Sequence, residues 1–235
     1  MAHSCNNDHM DAVQEQQLRK LVTVFLEENA KVNLSAFRTQ EGCWIGNVLD
    51  STAAVELFES FRIPNFEFRI LDIGTGGGFP LLPLAICLPE AHLTGMDSTQ
   101  KKIDAVNRIK DSLGLKNVNL ICGRVEVIGH AKQYRETFDV VTARAVAEIN
   151  VLLEYASPFV KVGGKIILWK SMNAEKEVSG SKKAQDALRC PFKESHIYDL
   201  PGDFGKRQLL IFEKKSPLSG TYPRAVGVPK KNPLK

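Results

Sequence analysis

The stretch that decides the fold is Leu71-Asp72-Ile73-Gly74-Thr75-Gly76-Gly77-Gly78-Phe79-Pro80. An apolar run ends in an acidic residue, a cluster of glycines follows, and Pro80 precedes the apolar segment LLPLAICL. Glycine allows positive φ and a close approach of a ligand to the backbone, and proline suits the first turn of a helix. This order predicts a buried strand, a tight turn and a helix whose first N–H groups form a seat for a polar or anionic ligand.

Around this stretch the sequence alternates between short apolar strands and helices. Strands are predicted at residues 68–73, 92–96, 118–122, 138–142, 165–169, 194–200 and 207–212. Helices are predicted at residues 11–31, 39–61, 80–88, 100–113 and 150–160, with a lysine-rich helix or loop at 174–188. Repeated strand–helix units indicate an α/β fold with a mostly parallel, doubly wound sheet. The last two strands leave no room for a crossover helix, so we expect them to pair antiparallel.

Three parts of the chain follow from this pattern. We predict an N-terminal helical extension packed on the core at residues 1–65, the main domain at 66–215, and a basic tail rich in Pro and Gly at 216–235. Residues 62–65 are expected to be a linker. Two interpretations of the tail stay open, a disordered end and an arm that touches phosphates.

Composition sets further bounds. The 235 residues are 43% hydrophobic, which is ample for a core, and the net charge of +4 permits a nucleic-acid partner without requiring one. The five cysteines are scattered without C-x-x-C spacing, which favours free thiols in a reducing cytoplasm over a disulfide framework or a metal site. The sequence shows neither a secretion signal nor an apolar run of membrane-spanning length, so we predict a cytoplasmic protein.

The glycine spacing distinguishes two classes of nucleotide cofactor. Dinucleotide-binding enzymes show G-x-G-x-x-G, and with Gly74 and Gly76 as the first two glycines the third would fall at Phe79. S-adenosylmethionine enzymes typically place an acid two residues before the first glycine of G-x-G-x-G, and the run from Asp72 to Gly78 has this spacing. A carboxylate at Asp72 can face the positive amino or sulfonium end of that cofactor, or order a water beside it. We therefore predict S-adenosylmethionine as the ligand of this turn.

Two later strand ends supply further candidate cofactor contacts. Asp97 ends the second predicted strand, where a carboxylate can accept hydrogen bonds from both ribose hydroxyls. The alternative is a helix N-cap, a role that Ser98 could also fill. Val125 and Glu126 follow the third strand, where they can frame the adenine. Without that position, Glu126 would be interpreted as an ordinary acidic residue on the surface.

Arg144 follows the fourth strand, where many methyltransferases place residues that contact the group to be methylated. The residues around it therefore indicate which kind of atom accepts the methyl group. The Asn/Asp-Pro-Pro-aromatic motif of many amine-directed methyltransferases is absent here, and no nucleophilic cysteine is near; Cys190 lies in a later loop. A nucleophile that needs no deprotonation remains, such as guanine N7, so no catalytic acid or base is predicted. An arginine can bond the Hoogsteen edge of guanine or a phosphate. The alternative for Arg144 is a structural ion pair, with Glu148 as the candidate partner.

Eight motifs together resemble one family, the bacterial ribosomal RNA small subunit methyltransferase G family, also called glucose-inhibited division protein B. In family order they are NLSA (33–36), LDIGTGGGFPLLPLAI (71–86), MDSTQKK (96–102), GRVE (123–126), VTARAV (141–146), GGKIILWK (163–170), GKRQLLIFEK (205–214) and TYPRAVGVPKKNPL (221–234). The resemblance covers nearly the whole chain, from about residue 18 to residue 234.

The resemblance implies a Rossmann-like class I S-adenosylmethionine-dependent methyltransferase with a seven-stranded sheet whose final strand is antiparallel. It implies N7-methylation of a guanosine in 16S ribosomal RNA, free or in a small-subunit particle, with no membrane or metal partner. It also implies cofactor contacts at Gly74, Phe79, Val125, Glu126 and Arg144. The oligomeric state stays open, with a monomer favoured.

The sequence departs from the family pattern at three positions, Asn47, Leu81 and Ser171. Asn47 replaces a histidine and is assigned no role, Leu81 replaces a glycine beside the cofactor turn, and Ser171 replaces a glycine after the fifth strand. Two other functions stay as alternatives. One is a methyltransferase fold that binds RNA or assists ribosome assembly without turnover, and the other is a nicotinamide-dependent oxidoreductase.

Overall fold

The computed structural model describes residues 3–4, 10–62, 66–144 and 146–235, with the side chains described from residue 10 onward. The linker predicted at residues 62–65 therefore lies mostly outside the described residues. The division of the chain into an N-terminal extension, a main domain and a tail stays a prediction.

A single twisted sheet forms the centre of the molecule. Its strands are β1 (His3–Ser4), β2 (Phe68–Ile73), β3 (Ala91–Asp97), β4 (Val118–Cys122), β5 (Phe138–Arg144), β6 (Val160–Ser171), β7 (Phe192–Leu200) and β8 (Gly205–Glu213). They lie in the order β1-β7-β8-β6-β5-β2-β3-β4. The last strand, β8, runs antiparallel to both of its neighbours, and the other pairs are parallel. The seven predicted strands and the antiparallel final one are thus confirmed, and the two-residue β1 adds an eighth strand at one edge.

Helices cover both faces of the sheet. They are α1 (Ala12–Val32), α2 (Gln40–Cys43), a π-helix (Trp44–Leu49), α3 (Asp50–Thr52), α4 (Val55–Phe61), α5 (Leu81–Cys87), α6 (Gln100–Leu113), α7 (Val125–Ile128), α8 (Ile149–Ala156), α9 (Glu175–Gly180), α10 (Lys182–Ala187) and α11 (Val228–Lys231). Two short 3₁₀ turns lie at Met172–Ala174 and Gly202–Phe204. None of the helices in the described part of the chain is both long and apolar enough to cross a bilayer.

Three helical predictions need correction. The segment 39–61 is not one helix, because its backbone changes to i→i+5 bonding at Trp44–Leu49 and breaks again before α4. The helix predicted at 150–160 ends at Ala156, and residues 160–164 belong to the long strand β6, whose Val160 pairs with Phe138. Residues 174–188 form two short helices rather than one element.

Helix α1 packs into the hydrophobic core on one face of the sheet. Asp11 caps it in a capping box with Gln14, as the acid–x–x–amide spacing favours. Leu18, Leu21 and Phe25 of this helix are fully buried in the same hydrophobic cluster as residues of β2, α5 and α6. Phe25 meets the Phe79 ring edge-on with centroids 4.9 Å apart, so this helix packs against the glycine turn that follows β2.

Candidate active site

A pocket of about 880 Å³ opens at the carboxyl edge of the parallel strands, where open α/β sheets bind their ligands. Eight of the ten predicted cofactor residues line it: Gly74, Gly76, Phe79, Asp97, Ser98, Val125, Glu126 and Arg144. Asp72 and Gly78 do not line it. The structure therefore brings together residues from four strand ends that are up to 70 positions apart in the sequence, but their contact with a cofactor stays a prediction.

Three of the four glycines of the turn, Gly74, Gly76 and Gly78, have a backbone conformation that favours glycine. All have positive φ, at 69° for Gly74, 56° for Gly76 and 89° for Gly78. A Cβ on Gly78 would lie 2.7 Å from Leu82 Cδ1, so this glycine permits the packing of α5. A Cβ on Gly76 would meet only the Gly74 carbonyl, at 3.7 Å, so Gly76 leaves open space for a ligand against the backbone.

Asp72 lies under the turn instead of at the pocket wall. It is 1% exposed, and its Oδ1 accepts a hydrogen bond from the Thr142 hydroxyl of the neighbouring strand at 2.8 Å. Among the described residues nothing donates to its Oδ2. Burial raises the pKa of this carboxyl to about 6, because charge is unfavourable away from water.

Asp97 holds two segments of the pocket together. Its Oδ2 accepts from the Gly76 N–H at 3.1 Å, and its Oδ1 accepts from the Thr99 N–H at 2.9 Å. Neither Asp97 nor Ser98 is the N-cap that the alternative suggested, because Thr99 occupies that position and no side chain caps α6. The Asp97 carboxylate instead holds the Thr99 N–H, one residue before the helix begins. Each carboxylate oxygen has further lone pairs, so the two ribose hydroxyls of a nucleoside still find acceptors.

Glu126 is not the surface acid that its sequence context alone suggests. It is 6% exposed, and its Oε1 accepts from the Gly227 N–H at 3.0 Å and from the Tyr155 hydroxyl at 3.5 Å. Burial and the nearby carboxylate raise the pKa of Tyr155. Glu126 therefore connects this wall of the pocket to the C-terminal segment.

Arg144 ends β5 at the base of the pocket, and the π-helix holds its guanidinium. Nη1 donates to the Asp50 carboxylate at 2.8 Å and to the Gly46 carbonyl at 3.2 Å, and Nη2 donates to Asn47 Oδ1 at 2.9 Å. The guanidinium carbon lies 5.8 Å from the centroid of the Phe79 ring, within range of a cation–π contact. These bonds fix the orientation of the arginine beside Phe79 of the glycine turn.

The partners of Arg144 correct two predictions. The suggested ion pair with Glu148 is replaced by one with Asp50, and Asn47, which was assigned no role, is a direct ligand of the guanidinium. Asp50 is held in turn by the Tyr198 hydroxyl at 2.6 Å and by the indole N–H of Trp169 on its carbonyl at 2.8 Å. Sequence reasoning missed this network, although the three-residue spacing of Asn47 and Asp50 on a helix places them on one face.

Three of the four cysteines that the structure describes are buried, as inert thiols are. Burial raises the pKa of Cys43 to about 11 and those of Cys87 and Cys190 to about 12. Cys190 lies away from the pocket lining and donates to the Leu188 carbonyl. In the part of the chain that the structure describes, no group of three His, Cys, Asp or Glu side chains could hold a metal ion.

The C-terminal segment packs against the domain, so a disordered end is the wrong interpretation. Arg224 forms a bidentate ion pair with the fully buried Glu154 of α8. Arg135 donates to the carbonyls of Leu218, Ser219 and Tyr222 in this segment and to that of Gly129. The segment brings Lys230 to the wall of the pocket.

The fold is shared with known methyltransferase structures. A putative O-methyltransferase from Klebsiella pneumoniae superposes with a TM-score of 0.55 at 18% identity, covering 83% of this chain and 90% of that one. A predicted O-methyltransferase from Agrobacterium tumefaciens gives a TM-score of 0.53 at 21% identity, covering 71% of this chain and 83% of that one. These similarities establish a Rossmann-like class I methyltransferase fold.

Sequence comparison identifies the family. The model of the rRNA small subunit methyltransferase G family matches residues 14–199. Ribosomal RNA small subunit methyltransferase G of Exiguobacterium sibiricum is 38% identical over 94% of this chain and 91% of its own length, and that of Oenococcus oeni is 40% identical over 89% and 85%. The chain therefore belongs to the ribosomal RNA small subunit methyltransferase G family.

Proposed function

We propose that this protein uses S-adenosylmethionine to methylate N7 of a guanosine in 16S ribosomal RNA. The observation that carries the proposal is the pocket itself. In a chain of this family, the glycine turn after β2 and the carboxylate of Asp97 at the end of β3 meet in one cavity, where the Gly76 N–H donates to that carboxylate. That arrangement matches the nucleoside end of S-adenosylmethionine.

The residues of the pocket fit this cofactor. Gly76 leaves room for the ligand against the backbone, and the Gly77 N–H has no acceptor among the described residues, so it is available to a carboxylate. Asp97 offers acceptors for the ribose hydroxyls, and Val125 and Glu126, which line the pocket, would border the adenine. When bound, the cofactor would supply a methyl group activated by a positively charged sulfur.

The protein's contribution to such a transfer is to align the two reacting groups and to exclude water from them. Guanine N7 carries a free lone pair at neutral pH, so the acceptor needs no general base. Arg144 is held in place by its neighbours, because Asp50, Asn47 and the Gly46 carbonyl accept from three of its five N–H donors. We assign it the role of holding the pocket floor under Phe79, so that N7 meets the methyl carbon in line.

RNA as the substrate agrees with the charge of the chain and with its pocket rim. The chain carries a net charge of +4, and Lys102, Arg124, Arg207 and Lys230 line the pocket. Cations at this edge attract a polyphosphate backbone. A ribosomal RNA substrate also places the enzyme in the cytoplasm, where small subunits are assembled.

The deciding experiment is methyl transfer to RNA from a strain that lacks the gene. Purified protein and S-adenosylmethionine with a labelled methyl group are incubated with naked 16S ribosomal RNA and, in parallel, with small-subunit particles. Nuclease digestion and mass spectrometry are expected to show 7-methylguanosine at one position. Cofactor binding without incorporation into either substrate would instead support the non-catalytic RNA-binding alternative.

The cofactor assignment is tested by Asp97→Ala. Loss of charged hydrogen bonds is expected to weaken S-adenosylmethionine binding by about 1–3 kcal/mol, measured by calorimetry. Glu90→Ala is the matched control, since Glu90 is exposed and precedes β3 at the opposite edge of the sheet.

In a thermal-shift comparison of the wild type, S-adenosylmethionine should stabilise the fold and NAD should not; the reverse result would favour the oxidoreductase.

A further inference from the structure

The pocket continues past the predicted cofactor contacts into a second region. This region, which we term the aromatic subsite, is lined by Phe37, Gly46, Leu200, Phe204 and Arg207. None of these residues belongs to the glycine turn or to the strand ends that would hold the cofactor. The whole cavity, about 880 Å³, lies near the upper end of the range of about 300–1,000 Å³ for ligand pockets, so it leaves room beside the cofactor for a second group.

Two phenylalanines define the aromatic subsite. The rings of Phe37 and Phe204 are half-buried, with centroids 5.8 Å apart and planes inclined at 42°. Gly46 of the π-helix makes this placement possible, because a Cβ there would lie 2.3 Å from Phe37 Cζ and 2.8 Å from Phe204 Cε1. The Gly46 carbonyl also accepts from Arg144. The aromatic pair is thereby fixed to the same turn that positions the pocket floor.

The cation of the aromatic subsite has no acidic partner. Among the described residues, the Arg207 guanidinium makes one hydrogen bond, from Nη1 to the Lys206 carbonyl at 3.0 Å, and no carboxylate lies within ion-pair distance. Arg124 and Lys230 line the pocket without a carboxylate partner among those same residues. By contrast, Arg144 is neutralised by Asp50. The unneutralised charge is therefore on the rim and not on the floor.

We propose that the aromatic subsite holds the acceptor guanine, flipped out of the RNA, with its face against Phe37 and Phe204 and an adjoining phosphate on Arg207. This assignment rests on the proposed function. Enzymes that act on a base take it from the stack and hold it against aromatic side chains.

The change in charge during the reaction explains why the aromatic rings are assigned to the base and Arg207 to a phosphate. As the N7–methyl bond forms and the methyl–sulfur bond breaks, the electron pair goes to sulfur, and the purine gains one positive charge with no proton released. The negative faces of aromatic rings stabilise that charge. A cation against the base would oppose it, so Arg207 belongs with a phosphate.

Phe204→Leu tests the base contact, because leucine keeps the apolar volume and removes the ring face. The variant is expected to lose about tenfold or more in kcat/KM for RNA, with S-adenosylmethionine affinity within about twofold of wild type. Phe66→Leu is the control, since Phe66 is 72% exposed and precedes β2 at the opposite edge of the sheet. An unchanged kcat/KM, or an equal loss of cofactor affinity, would overturn the assignment.

Arg207→Gln tests the phosphate contact. The slope of log affinity for RNA against log salt concentration is expected to fall by about one unit, measured with S-adenosylhomocysteine bound. Lys116→Gln is the control, because Lys116 is exposed and precedes β4, away from the pocket. An unchanged slope in Arg207→Gln removes the phosphate role. Failure of the wild type to methylate any RNA would refute the proposed function itself, whereas an active wild type with unaffected variants refutes only the aromatic subsite.

Discussion

Removal of Arg224 is expected to lower the free energy of unfolding by about 3 kcal/mol. Its guanidinium bonds the Glu154 carboxylate through Nε at 2.8 Å and Nη2 at 2.6 Å, and its backbone N–H donates to the same carboxylate at 2.9 Å. The Glu154 side chain is 0% exposed, so Arg224→Ala leaves a buried charge with one remaining donor. Breaking such a pair costs about 3–5 kcal/mol, and the lower end applies here since the Arg224 side chain is 27% exposed.

Urea unfolding followed by tryptophan fluorescence measures this loss. For a chain of this size, 3 kcal/mol corresponds to a fall in Tm of about 6–12 °C. Lys231→Ala is the matched control, because Lys231 is an exposed cation of the same segment, and it should remain within about 0.5 kcal/mol of the wild type. Replacing both Glu154 and Arg224 by Met should cost much less than the sum of the single changes, because no buried charge is left without its partner.

Hydrogen exchange separates global from local loss. If the C-terminal segment opens on its own, the Gly227 N–H, which donates to Glu126, should exchange faster in Arg224→Ala even where global stability changes little. The reasoning is refuted if the variant unfolds within about 1 kcal/mol of the wild type and the Gly227 amide keeps its protection.

Two further changes test the core beneath the pocket. Burial gives the Asp72 carboxyl a pKa of about 6 when folded against 3.8 when unfolded, so the native state binds the extra proton and stability falls as pH rises through this range. The free energy of unfolding of the wild type relative to Asp72→Asn should drop by about 3 kcal/mol between about pH 3 and pH 7, and a constant difference would contradict the shift. Gly95→Ala places a Cβ 2.4 Å from Leu81 Cδ2 in the packed layer between β3 and α5, and should lower the free energy of unfolding in urea by about 1–3 kcal/mol. Gly180→Ala is the control, because the space around Gly180 is open, and it should not destabilise the protein. Equal stabilities for the two variants would show that the layer relaxes freely.

The local elements of the fold were predictable because each depends on neighbouring residues. The glycine turn, its flanking strand and helix α6 follow from contiguous apolar periodicity and turn chemistry, and Gln100–Leu113 coincides with its predicted bounds. The position of Asp97 at a strand end was also readable, since parallel strands present their carboxyl ends at one edge. The π-helix was not readable, because i→i+5 bonding at Trp44–Leu49 carries no distinct residue pattern.

The sequence by itself determined the alternation of strands and helices, the glycine turn and the family motifs, because these are written in the order and type of adjacent residues. The tertiary structure alone decided which partners those residues meet. Arg144 pairs with Asp50 across 94 positions, and Glu126 meets Gly227 across 101. A single sequence shows that a charge exists but not what neutralises it. Only the packing of distant segments shows that Arg144 is paired with Asp50 at the base of the pocket, while Arg207 lies at the rim of the pocket without a carboxylate partner among the described residues.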